Sequence, residues 1–126
     1  MLKKRERNKI YKGVLIAEGL DDPKVINDLS VYKAIITDDT MAIDYDGNIG
    51  RWHIYHVKVS KKEIDQLQKH LLYGWYAHFW RGNTIIVVYN DKQFKIKKND
   101  KSTWQEAVTH GKSQEIPENE LDFPTC

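Results

Sequence analysis

The stretch from Trp75 to Lys97 constrains this chain most. Three segments rich in β-branched and aromatic residues, Trp75 to Trp80, Thr84 to Tyr89 and Gln93 to Lys97, are divided by Gly82-Asn83 and Asn90-Asp91. Both dipeptides suit two-residue hairpin turns, which make neighbouring strands antiparallel and set their register. The turns oppose Tyr76 to Tyr89, His78 to Val87, Trp80 to Ile85, Val87 to Phe94 and Ile85 to Ile96. Because side chains alternate along a strand, one face then carries Tyr76, His78, Trp80, Ile85, Val87, Tyr89, Phe94 and Ile96, and is expected to be the core. The other face carries Trp75, Ala77, Phe79, Ile86 and Val88 and grades into Gln93, Lys95 and Lys97, which marks the last segment as an edge strand. Trp75, Phe79, Ile86 and Val88 are too apolar to stand bare together, so the C-terminal segment, a second subunit or a ligand is expected over them.

The rest of the chain supplies the partners of this meander. Gly13 to Glu18 and Val31 to Ile36 read as strands, with Asp22-Pro23 opening a short helical turn between them. Trp52 to Val59 is a further strand, and Asp46-Gly47 before it is a hairpin signal. Ser60-Lys61-Lys62-Glu63 is a capping box, and Ile64, Leu67, Leu71 and Leu72 follow at helical spacing until Gly74. Ser102 or Thr103 caps a last helix carrying Trp104, Ala107 and Val108, and a tail after Ile116-Pro117 docks through Leu121 and Phe123. The predicted class is α+β: a ferredoxin-like sandwich with a mainly antiparallel sheet, an extra edge strand and a C-terminal helix.

The length of 126 residues suits one domain with a core of its own. Residues 1–11 read as a flexible basic arm and residues 12–126 as the domain. The arm carries Lys3, Lys4, Arg5, Arg7 and Lys9 against Glu6, while the net charge of the whole chain is only +2. That balance excludes a general polyanion binder, although a basic arm can touch phosphates. The single cysteine, Cys126, allows no internal disulfide and fits a reducing compartment. No apolar run reaches the length of a membrane span, so a cytoplasmic location without membrane contact is expected.

Among residues with chemistry, His78 stands out because it lies between Tyr76 and Trp80 on an apolar face, where an imidazole needs partners. Tyr76, His78, Trp80 and Tyr89, with Trp75 beside them, form one candidate ligand-binding set, joined by Glu18 at the end of the first strand. A core histidine bonded to a main-chain carbonyl presents the same pattern. His53 and His56 stand three apart on a strand and face opposite ways, so no metal site is expected, and no cofactor motif is present. Asp44-Tyr45-Asp46-Gly47-Asn48 lacks the glycine and glutamate of a calcium loop and reads as a turn. Gly74 to Trp80 has the alternating aromatics of an RNA-stacking strand without its companion motif, so the sequence does not favour nucleic acid as a partner.

Gly13-Val14-Leu15-Ile16-Ala17-Glu18, Gly74 to Trp80, Ile86-Val87-Val88 with Phe94, and Ile116-Pro117 leading to Leu121-Asp122-Phe123 together resemble a family of small uncharacterised bacterial proteins. The resemblance runs from Gly13 to Pro124 and implies no substrate, cofactor or catalytic residue. Three function classes follow from the residues themselves, the least favoured being a weak nucleic-acid binder that uses the basic arm or the aromatic strand. One is a non-enzymatic module that binds a partner or small ligand, with a homodimer as one form. Another is an enzyme whose aromatic and histidine-lined pocket acts on a small molecule.

Overall fold

Alternation of buried and exposed residues begins at Tyr11, two residues ahead of the expected strand. Tyr11, Gly13 and Leu15 are buried while Lys12 is exposed, and Tyr11 belongs to the core rather than to the arm. The computed structural model describes residues 9–38, 41–42 and 49–125. Asp44 to Asn48, Cys126 and most of the basic arm lie outside the described residues.

The strands are β1 (Tyr11–Ile16), β2 (Ser30–Ile36), β3 (Met41–Ala42), β4 (Ile49–Gly50), β5 (His53–Val59), β6 (Tyr76–Arg81), β7 (Thr84–Tyr89) and β8 (Gln93–Lys97). Among the described residues there are two α-helices, α1 (Lys61–Gln68) and α2 (Gln105–Ser113), and several short 3-10 turns, one of them at Pro23–Asp28. Six strands form one antiparallel sheet in the order β2-β5-β1-β6-β7-β8, and β3 pairs with β4 in a separate ribbon. The turn expected at Asp46-Gly47 lies outside the described residues, between β3 and β4.

The meander has the register read from its turns: Tyr76 faces Tyr89, His78 faces Val87, and Val87 faces Phe94. The fold is therefore α+β with a C-terminal helix, but the sheet carries two strands, β7 and β8, beyond β6 where one extra edge strand was expected. Those strands need cover of their own, and the chain supplies it on the opposite face from α1. Two cores result. One gathers Leu15, Val57, Ile64, Leu67, Phe79, Ile86 and Val88 under α1 and the 3-10 turn of Ile26. The other gathers Trp80, Val87, Tyr89, Trp104, Ala107, Leu121 and Phe123 under α2 and the tail.

This corrects the expected cover. Helices lie on both faces, α1 shields Phe79, Ile86 and Val88, and the tail lies over the His78 face instead. Neither a second subunit nor a ligand is needed to cover them. Trp75 precedes β6 and packs against Trp52, with ring centroids 5.5 Å apart.

Local chemistry explains the elements. Ser60 accepts the Glu63 amide at 3.2 Å while its own amide donates to Glu63 Oε1 at 2.9 Å, so the capping box is closed at both ends. The last helix is entered differently from expectation: Asp100, not Ser102 or Thr103, takes the Ser102 amide and starts a 3-10 turn that runs into α2. A Cβ on Gly13 would come within 2.1 Å of the Phe79 ring, so this position in β1 is open only to glycine. Leu121 and Phe123 are 4% and 1% exposed, and burial of this kind is worth about 1.5–3 kcal/mol per side chain. Among the described residues no helix is long and apolar enough to cross a membrane.

Candidate functional site

Tyr76, His78 and Trp80 point to one side of β6, and the tail closes over them. The His78 ring lies on Trp80 with centroids 5.5 Å apart and planes 26° from parallel, and Phe123 stands 6.2 Å away. His78 Nε2 is 2.5 Å from the Pro124 carbonyl oxygen. A carbonyl only accepts, so Nε2 bears the proton and donates it. Burial pulls the imidazole down to about 4, only partly opposed by the Pro124 carbonyl, and the ring is neutral at pH 7. The Tyr76 hydroxyl donates to the Glu120 carbonyl, and the Tyr89 hydroxyl donates to the Ala107 carbonyl at 2.6 Å. Burial pushes both phenols well above their ordinary range.

The structure thus brings together four of the five expected ligand-binding residues. The two phenol hydroxyls and His78 Nε2 donate to main-chain carbonyls of α2 and the tail. Chemically, this set can pin the tail. Trp75 lies on the other side of the sheet.

Glu18 stands elsewhere, in the 3-10 turn after β1. Its Oε2 is 2.7 Å from His53 Nδ1, and its Oε1 accepts the His53 main-chain amide at 2.8 Å. One carboxylate therefore clasps both ends of the residue that opens β5. A carboxylate against an imidazole is also the arrangement that orients a general base. Trp52 Nε1, next along the chain, is buried with no hydrogen-bond partner among the described residues. The pairing of Glu18 with His53 was not visible in the sequence, because it depends on the β1–β5 register that brings Ile16 beside Ile54.

The remaining feature is a surface. On β1, β5 and β2 the side opposite α1 carries Lys12, Val14 and Ile16, then Ile54, His56 and Lys58, then Lys33 and Ile35. The tail and α2 reach only as far as Val14. All seven residues of β2 are exposed, including Val31 at 39%, Tyr32 at 44% and Ile36 at 58%. A bulge between Val31 and Lys33 brings Tyr32 to the same side as His56, with ring centroids 6.0 Å apart, and Lys58 Nζ stands 5.5 Å over the Tyr32 ring. The His56 imidazole is held below its ordinary value, first by partial burial and then by the charge of Lys33. His53, by contrast, faces the α1 side with Glu18, so the two histidines do not converge.

No protein-family model, no curated protein and no solved structure matches this chain.

Proposed function

We propose that the protein is a non-enzymatic binding module that receives its partner on the open half-sheet of β1, β5 and β2. The observation that carries this reading is the exposure of the whole of β2, whose Tyr32, Lys33 and Ile35 lie on the side of the sheet that α2 and the tail leave uncovered. Apolar and aromatic side chains held in the open on a rigid strand are what a docking surface requires. The His78 set supports the same reading from the other direction, since its ring nitrogen and the flanking phenols serve the tail.

A ferredoxin-like core belongs to this proposal. Its support is that β1 and β2 run parallel with β5 between them, while β5 and β6 run parallel with β1 between them; the second crossover runs through α1 and the first through 3-10 turns, and β7 and β8 are added beyond β6. Residues 12–126 act as one domain in this reading, and the location is cytoplasmic, in keeping with a single cysteine. A homodimer formed by edge-to-edge pairing of β2 is disfavoured, because the bulge and Lys33 are devices that blunt a sheet edge.

The test is two-dimensional NMR of the labelled full chain, titrated with panels of small-molecule fragments, peptides and oligonucleotides. Ligands are expected to move resonances of Tyr32, Ile35, Ile54 and His56 and to leave His78 unmoved. Ligands that perturb Tyr76, His78, Trp80 and Tyr89 together would replace this reading with the enzyme-type pocket.

A further inference from the structure

Lys12 and Lys58 are direct cross-strand partners on the open half-sheet, and both are exposed. Like charges placed opposite one another in an antiparallel pair destabilise it. Lys33 lies on the same side one strand further out, beside His56. The three strands contain no aspartate or glutamate, and among the described residues no carboxylate pairs with any of the three lysines. The fold therefore holds three cations in one field, with no carboxylate among the described residues paired to them. Next to them Tyr32 presents a half-exposed ring braced by His56, and Ile35, Ile54 and Ile16 continue the surface as an apolar row.

We infer that the partner of this half-sheet is a single-stranded nucleic acid, its phosphates lying across Lys12, Lys58 and Lys33 and one base stacked on Tyr32; the inference rests on the docking surface proposed above. Cations near an aromatic platform are what single strands require, because phosphates take the charge and every base has a face to stack. An acidic peptide would satisfy the lysines but has no use for the Tyr32 ring. The sequence pattern alone does not favour nucleic acid, because its one aromatic-rich strand, Gly74 to Trp80, belongs to the interior. The open platform lies on the other half of the sheet. The chain enters β1 at Tyr11 directly from Lys3, Lys4, Arg5, Arg7 and Lys9, so further positive charge is tethered within a few residues of Lys12.

The test is fluorescence anisotropy of the full chain with a labelled mixed-sequence single-stranded RNA, over a range of salt concentrations. A duplex of the same sequence and a polyglutamate peptide of equal charge serve as competitors. All variants keep the basic arm, so differences report the half-sheet. The paired change Lys12→Gln with Lys58→Gln is expected to weaken binding and to reduce the salt slope by roughly 1.4, about 0.7 for each phosphate no longer neutralised. Tyr32→Ala is expected to cost roughly 5- to 100-fold in affinity. Lys95→Gln with Lys97→Gln on the far edge removes the same charge and is expected to leave both quantities near wild type. Equal losses from the two lysine pairs would overturn the inference, as would polyglutamate competing as well as RNA. If polyglutamate shifts the Tyr32 and His56 resonances and RNA does not, nucleic acid is wrong and the docking surface stands. If neither probe touches them, both readings fall.

Discussion

Acidification from pH 7 to pH 5 is expected to weaken the fold through His78, and the size of the effect follows from its surroundings. In the unfolded chain the imidazole titrates near its ordinary value of about 6.5. In the folded chain burial holds it at about 4. The folded state therefore favours the neutral ring. Its contribution is fully present above the unfolded value and is lost progressively as pH falls from there toward the folded one. At pH 5 the unfolded chain binds this proton and the folded chain does not, a differential of about 2 kcal/mol. Urea unfolding at pH 7 and pH 5 measures it, with His78→Gln as the comparison because glutamine offers an amide to Pro124 without a titrating group. Other histidines and carboxylates contribute equally to both proteins and cancel in the difference. Wild type is expected to lose about 2 kcal/mol more than the variant. Equal losses in the two proteins, or an NMR midpoint for His78 near 6.5, would refute the argument that this ring is sealed beneath the tail.

Three further outcomes follow from the packing. Gly13→Ala drives a methyl group into the Phe79 ring and is expected to cost about 2–3 kcal/mol, read by urea unfolding. Glu18→Ala leaves the half-buried His53 amide without its acceptor and is expected to cost about 1–3 kcal/mol, with faster hydrogen exchange at His53. Lys12→Gln removes the repulsion with Lys58 and leaves the Lys58–Tyr32 contact in place, so it is expected to stabilise the free chain by about 0.2–1 kcal/mol while weakening its hold on RNA; a drop in stability instead would show that the pair is not repulsive.

The meander was legible in the sequence because two-residue turns leave the register no freedom, and the capping box at Ser60 was legible because it is closed by residues three apart. The cover over each sheet face was not. Phe79 and Val87 are equally apolar, and only the path of α1 and α2 in space decides which helix meets which. The alternation along β6 marks out the His78 set, but its use depends on where Pro124 and Glu120 come to rest some forty residues later. Glu18 stands out at a strand end without its partner, since nothing local ties it to His53 thirty-five positions away. The lysine field was invisible for a similar reason. Lys12, Lys33 and Lys58 are scattered in a chain of near-balanced charge, and they meet only through the β2-β5-β1 order.

Histidine modification by diethylpyrocarbonate at pH 7, mapped by peptide mass spectrometry with and without saturating single-stranded RNA, tests the division between sealed core and open half-sheet most directly. The expected result is that His56 reacts in the free chain and is shielded in the complex, while His78 stays unmodified in both. Rapid reaction at His78, or a rate at His56 unchanged by RNA, would contradict it.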